Sequence, residues 1–319
     1  MDEFGSNGMS LTANQNAFAQ YLAGLWGTPE GLAEEMSDWL PEGVAAGAGL
    51  LHSYRISQSS HWKPWRGRIA SPNQHWWCRS LWEAFLHYSW PDDPKPNSFE
   101  CIAARLRHAL VVHDQAAARQ ACLGIFHWGG VARSSGDKSR VWVEDQYQQK
   151  TLCQSILHAV QLLQPGSAHG LTAFDGQRLL MNAAMTKVYA AADPDNIIIY
   201  DGRVGAALGL LARYWLVQSG IAVVPGDVAF CWGAGRSSVN RNPSFGAYKF
   251  ASLYRASTKA FHKDAVWANQ VRLAGGVLRQ MLRFNPGIGS IAAIEKALFM
   301  IGFNVDPELP PLPLPRVTP

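Results

Sequence analysis

Two side chains near the middle of the chain have the types and spacing to do chemistry together. They are Lys187 and Asp201, in the stretch Met185-Thr-Lys-Val-Tyr-Ala-Ala-Ala-Asp-Pro-Asp-Asn-Ile-Ile-Ile-Tyr-Asp-Gly-Arg-Val-Gly-Ala-Ala-Leu208. Lys187 stands among Ala183, Ala184, Met185, Val188 and Tyr189. An amine desolvated in such surroundings holds its proton less tightly and becomes a better nucleophile. Asp201 precedes the apolar run Val204, Ala207, Leu208, Leu211, Tyr214 and Trp215, where a helix N-cap belongs. A capping carboxylate accepts backbone N–H bonds and faces the positive end of the helix dipole, which favours its ionised form. An ionised carboxylate beside a partly neutral amine suits a reaction that generates a cationic sugar and then captures it. The same two residues also read as a solvated surface lysine and a plain helix cap.

The elements that would position this pair follow from composition. Residues 182–192 are rich in Ala and Met and favour a helix; Asp193-Pro-Asp-Asn196 is a stop and a turn. Ile197-Ile-Ile-Tyr200 is too short and too β-branched to continue the helix, which predicts a buried extended connector. A second helix then starts at Asp201. Two consecutive helices joined so tightly bring Lys187 and Asp201 to one cleft.

The rest of the chain bounds the possibilities. Its 319 residues, 48% hydrophobic, can bury a core in one large or two smaller domains. Only 16% are charged, with a net charge of +4, which permits a nucleic-acid partner without requiring one. The 13 tryptophans read mostly as core, with base stacking open to a few. Cys78, Cys101, Cys122, Cys153 and Cys231 form no C-x-x-C pair, so neither a zinc site nor a closely spaced iron–sulfur loop is indicated. Their odd number, with no signal peptide, predicts a reducing, cytoplasmic setting, and no apolar run is long enough to span a bilayer.

Residues 1–8 read as an appended leader ahead of Met9, residues 9–96 as an N-terminal helical subdomain, 97–305 as a larger helical domain, and 306–319 as an extended Pro-rich tail. Within the first subdomain, residues 52–77 interleave His52, Arg55, His61, Lys63, Arg66, Arg68 and His75 with Tyr54, Trp62, Trp65, Trp76 and Trp77. This reads as an irregular segment that either binds phosphates and bases or forms a loop pinned by its tryptophans. Helices are predicted over 99–112, 115–126, 145–163, 174–192, 265–284 and 290–301, with a mobile loop over 133–140. The Gly129-Gly130 pair after Trp128 is either a site of close backbone approach to a ligand or a helix C-cap. Residues 230–244 form a long polar loop whose Arg236 and Arg241 can grip phosphates or rim a base pocket.

Thr186-Lys-Val188, the hydrophobic connector and Asp201-Gly-Arg-Val204 resemble the core of the helix-hairpin-helix DNA glycosylases, in particular the bacterial branch with the 8-oxoguanine glycosylase fold. Ile125-Phe-His-Trp-Gly-Gly-Val131, Asn240-Arg-Asn-Pro-Ser244 and Ile294-Glu-Lys-Ala-Leu-Phe-Met-Ile-Gly302 resemble that branch too, in the same order along the chain. Together they cover roughly residues 100 to 303. One departure stands out. The wider superfamily carries a Gly-rich hairpin just before the lysine whose amides grip a DNA phosphate, whereas Met181-Asn-Ala-Ala-Met185 has no glycine.

The resemblance implies a mainly all-α fold with two helical subdomains flanking a cleft, and a double-stranded DNA partner whose target nucleotide is flipped into a pocket. It implies that Asp201 stabilises charge on the deoxyribose, and that Lys187 attacks C1′ to give a Schiff base able to undergo β-elimination. Neither step calls for a cofactor or metal. DNA or base contacts are expected at Arg203, Trp128, Gly129, Gly130, Asn182, Thr186, Arg236, Arg241 and Asn242. The implied substrate is either an 8-oxoguanine-type lesion or a bulky hypermodified base of phage DNA, such as glucosylated hydroxymethylcytosine, removed in antiviral defence. The other class of reading is a non-catalytic helical DNA-binding or scaffold protein; the two are separated by whether Lys187 and Asp201 face one another across a cavity, and the second is favoured if Lys187 points to solvent and Asp201 only caps its helix.

Overall fold

Side-chain chemistry at the helix ends sets much of the architecture. The computed structural model describes residues 11–27, 51–55, 75–88, 90, 95–235, 239–254 and 262–306. α1 (Ala13–Gly24) opens on a capping box between Thr12 and Gln15. Ser80 caps α2 (Leu81–Leu86), and Asp114 caps α4 (Gln115–Trp128), which follows α3 (Phe99–Val111). α5 (Lys138–Gln148), α6 (Leu152–Leu163), α7 (Met185–Ala192), α8 (Gly202–Gln218), α9 (Lys263–Phe284) and α10 (Ile291–Ile301) complete the helices among the described residues. No described helix is long and apolar enough to cross a membrane.

Two helices form the inside of the molecule. In α8 every residue from Val204 to Arg213 is buried, and in α7 every residue from Met185 to Ala191. A helix apolar on all sides can only be stable when surrounded. α3 packs on α7 and α10 on α8, while α1 lies against α9 and α2 against α10. One continuous core runs from Phe18 to Val305, so the described parts of the N-terminal segment share it. Close packing around the start of α8 depends on small residues: a Cβ at Gly205 would collide with the Cys231 carbonyl, and one at Gly302 with the Arg203 carbonyl.

Three expectations are corrected. The ends of the basic and aromatic segment are not irregular: β1 (His52–Arg55) and β2 (His75–Cys78) form an antiparallel ribbon. Tyr54 stacks on Trp76 across it at 4.9 Å between ring centroids, a cross-strand aromatic pair that favours pairing over coil. Residues 56–74 lie outside the described residues, as do Arg236, residues 28–50 and residues 307–319. The helix predicted over 174–192 starts only at Met185. Before it, the Asp175 carboxylate accepts from Gln177 N and Arg178 N, and Gly176 takes φ +81°, so local side-chain bonds replace the helical ones. The helix predicted over 145–163 is two helices, broken where Lys150 takes φ +58°, and α5 begins inside the expected loop, at Lys138.

Ile197-Ile-Ile-Tyr200 is the buried, non-helical connector the composition predicts. Its backbone is satisfied by side chains from three helices. Thr186 Oγ1 on α7 donates to Ile198 O at 3.2 Å and accepts from Tyr200 N at 2.9 Å. Glu295 on α10 accepts from Ile199 N at 2.7 Å, and Trp267 Nε1 on α9 donates to Tyr200 O at 2.9 Å. Thr186→Val keeps the shape and removes both hydroxyl bonds, leaving buried backbone groups unpaired. It should lower stability by about 1–3 kcal/mol, read as a lower urea midpoint at unchanged slope; an unchanged midpoint would show that the hydroxyl does not hold the connector.

Candidate active site

Lys187 does not point to solvent. Its residue is 8% exposed, and Nζ donates to Ala183 O, one turn back along the chain, at 2.8 Å. Room for its stem comes from Gly129, where a Cβ would lie 2.7 Å from Lys187 Cδ and 2.9 Å from Cε. Burial lowers the Lys187 pKa from its ordinary value; Asp201 and Glu295 pull it back up, and Arg203 pushes it down further. An amine in that balance gives up its proton more readily than a surface lysine.

Asp201 caps α8 as expected. Its Oδ1 accepts from Arg203 N at 2.8 Å and from Val204 N at 3.1 Å, while Oδ2 accepts no hydrogen bond among the described residues. The carboxylate is thus fixed in direction by one oxygen and offers the other. Tyr200, the residue before it, donates its one hydroxyl proton to Cys231 O at 2.8 Å, with Gln270 Oε1 3.1 Å from the same oxygen.

A cavity of about 470 Å³ is lined by Glu295, whose charge acts on Lys187, while neither Lys187 nor Asp201 is among its lining residues. Its walls include the rings of Tyr88, Trp90, Phe99 and Trp128, the aliphatic surface of Ala190, Ile197 and Ile199, and the carboxyl of Glu295. Trp128 packs on Phe99 at 4.3 Å between centroids, and Trp90 Nε1 donates to Trp128 O at 3.2 Å. Glu295 belongs to both neighbourhoods. Burial raises its pKa to about 7, opposed by the bond from Ile199 N; Asp201 pushes it up, and Lys187 and Lys296 pull it down. Such a volume lies within the roughly 300–1,000 Å³ of small-molecule sites, and aromatic walls fit a planar ring.

The other expected contacts fall in different places. Trp128 is in the cavity wall. Gly129 and Gly130 form the C-cap of α4, Gly130 at φ +61° and Val131 N bonding to Phe126 O at 3.0 Å, so this pair serves the helix end and the lysine stem. Thr186 is fully buried, and its hydroxyl is used on the connector rather than at a surface. Asn182 Oδ1 accepts from Ala184 N at 2.9 Å and Met185 N at 3.1 Å, while its amide donates to Ser139 Oγ. The amides that a glycine hairpin would offer to phosphate are therefore capped internally by Asn182. Arg203 lies over the Phe299 ring at 4.6 Å, its pKa lowered to about 9 by burial and by Arg241. Arg241 is partly buried, and burial lowers its pKa against the opposing charge of Asp201. Asn242 accepts from Ser244 N and shapes its own loop.

No protein-family model, curated protein or solved structure matches the chain. The pair at Lys187 and Asp201 was visible in the sequence; Glu295 was not singled out. A signal existed, because Glu295 follows Ile291 by four residues and so stands at the edge of the buried face of α10.

Two measurements test these electrostatics. In Gly129→Ala the backbone is already helical, so the protein should fold with a near-native thermal midpoint; the displaced amine should titrate differently from wild type in NMR of labelled lysines, and identical titration would remove the glycine's assigned role. For Glu295, the folded pKa lies above the unfolded value of 4.5, so the folded state holds a proton that the unfolded chain releases between there and about 7. Stability from this group is therefore present at low pH and lost as pH rises through that window. Glu295→Gln keeps an acceptor for Ile199 N without the charge, so its Tm relative to wild type should improve between about pH 5 and about pH 8; a constant difference would place the carboxyl in ordinary solvent.

Proposed function

We propose that the protein is a DNA glycosylase that excises a modified base flipped into the aromatic-walled cavity at Glu295, with Lys187 and Asp201 as the groups that act on its sugar. The observation that carries this reading is the buried Lys187 amine, its proton affinity lowered by desolvation, within the field of the Asp201 carboxylate, which has one oxygen unengaged among the described residues. A solvent-facing lysine would have favoured a non-catalytic DNA-binding or scaffold protein, and its burial supports chemistry instead.

In this reading Asp201 Oδ2 stabilises positive charge on the deoxyribose as the C1′–N bond lengthens, an electrostatic role that needs a preorganised carboxylate. The bond's electron pair leaves with the base. The neutral Lys187 amine then bonds to C1′, and its extra proton passes to O4′ as the C1′–O4′ bond breaks; the resulting Schiff base can lose a C2′ proton to water as β-elimination cleaves the 3′ C–O bond. The aromatic walls of Phe99 and Trp128 hold the extruded ring by stacking. The walls suit both substrate classes considered, an 8-oxoguanine-type lesion and a hypermodified cytosine of phage DNA.

The test is base release by mass spectrometry from DNAs carrying oxidised, alkylated, deaminated or hypermodified bases. One base should be released, with Asp201→Asn slower by about 100-fold or more. Borohydride should trap a covalent complex with wild type and none with Lys187→Gln. If Lys187→Gln still excises the base while Asp201→Asn does not, the enzyme is monofunctional and water takes the place of the amine. No release from any DNA would favour the non-catalytic reading.

A further inference from the structure

The cavity and the Lys187–Asp201 pair meet at one residue, Glu295, that neither helix cap nor nucleophile accounts for. Its carboxyl is held on the cavity wall by Ile199 N at 2.7 Å, two residues before Asp201 in the chain. A second polar group there is also unexplained: Trp128 Nε1 is buried and has no hydrogen-bond partner among the described residues, although its ring lines the same cavity. A donor left unpaired in a buried wall costs stability unless a ligand completes it.

We propose that Glu295 is the general acid of the site, protonating the departing base while the Trp128 indole N–H hydrogen-bonds to it; this rests on the glycosylase reading. As the C1′–N bond breaks, its electron pair remains on the base, and the Glu295 carboxyl proton moves to a ring nitrogen or carbonyl oxygen of that base. Glu295 becomes a carboxylate. After Lys187 bonds to C1′, Glu295 relays the extra proton on its nitrogen to O4′ as the sugar ring opens, and the carboxylate regains its own proton from water once the product leaves. Two carboxyls in contrasting settings then divide the work. Asp201, tied to the N-terminus of α8, stabilises positive charge, and Glu295, set in an apolar and aromatic wall, carries a proton.

The surrounding charges keep Glu295 poised rather than fixed in one form. Lys187 on α7 and Lys296 on its own helix favour the carboxylate, while burial and Asp201 favour the acid. Glu100 and Arg107 on α3 line the same cavity. On the helices packed against α10, Glu83 of α2 is tied to Arg79, Arg203 of α8 lies over Phe299, and Asp264 and Arg272 of α9 bond to Met181 N and Leu162 O. With the acid form retained up to about pH 7, the site holds a transferable proton at neutral pH.

The experiment is single-turnover base release from the DNA found in the panel, followed across pH for wild type, Glu295→Gln and Asp201→Asn. The carboxyl acts in its protonated form and Lys187 as the free amine, so wild type should show a limb that falls as pH rises through about 7. Glu295→Gln should be slower by about 10²–10⁴-fold and lack that limb, while Asp201→Asn should be slower and keep it. Circular dichroism checks that Glu295→Gln folds, and carbon NMR of labelled glutamate reads the free protein directly. Release by Glu295→Gln at the wild-type rate with the same pH profile, or titration of Glu295 in the ordinary carboxylate range, overturns the assignment while leaving the glycosylase reading intact. Wild type that releases no base overturns both.

Discussion

A buried stretch of backbone without helix or sheet must find hydrogen-bond partners among side chains, and the Ile197–Tyr200 connector does so through Thr186, Glu295 and Trp267. This requirement ties α7, α9 and α10 to one four-residue segment. The segment is also what separates Lys187 from Asp201, so the bonds that satisfy it fix the two relative to one another. A surface loop of equal length would hydrogen-bond to water and leave the two helices free to shift. Here their spacing is a consequence of an otherwise costly burial.

The ionisable groups at this place stand against stability. Lys187 and Glu295 both have proton affinities displaced by burial toward their neutral forms, and Arg203 is lowered to about 9 by the same cause. Apolar residues of similar size would fold without that cost. Strong displacement of several neighbouring groups, next to a cavity with aromatic walls, is the pattern expected of a site whose chemistry needs a free amine and a retained proton. The neighbours moderate one another: Asp201 raises both affinities, while Lys187 lowers that of Glu295. Glu295 thus remains able to change protonation state near neutral pH.

What was legible in the sequence was local. The cap at Asp201, the amphipathic runs of α3, α4, α9 and α10, and the β-branched connector all announce themselves within a few residues. The short reach of α7 was not legible, because Ala and Met favour helix throughout 182–192 and only the Asp175 side chain and Gly176 stop it earlier. The β1–β2 ribbon was hidden because its pairing joins residues more than twenty apart through Tyr54 and Trp76. Glu295 was hidden for a related reason. A lone carboxylate in a helix reads as solvated until the partner it serves, the Ile199 amide, is placed beside it by packing.

The missing glycine hairpin acquires a physical explanation from Asn182. A helix start with unsatisfied amides can hold an anion, but the same amides must then stay unpaired until the anion arrives. Here the Asn182 carboxamide caps Ala184 N and Met185 N, and Asp264 takes Met181 N, so the start of α7 is closed from within. The gain is rigidity where it matters, since Lys187 sits in the first turn of that helix and hydrogen-bonds to Ala183 just ahead of it. Opening the cap to admit a phosphate would loosen the turn that carries the amine. Under the glycosylase reading, the grip on DNA must therefore come from side chains outside the hairpin, and the nucleophile is preorganised before any substrate binds.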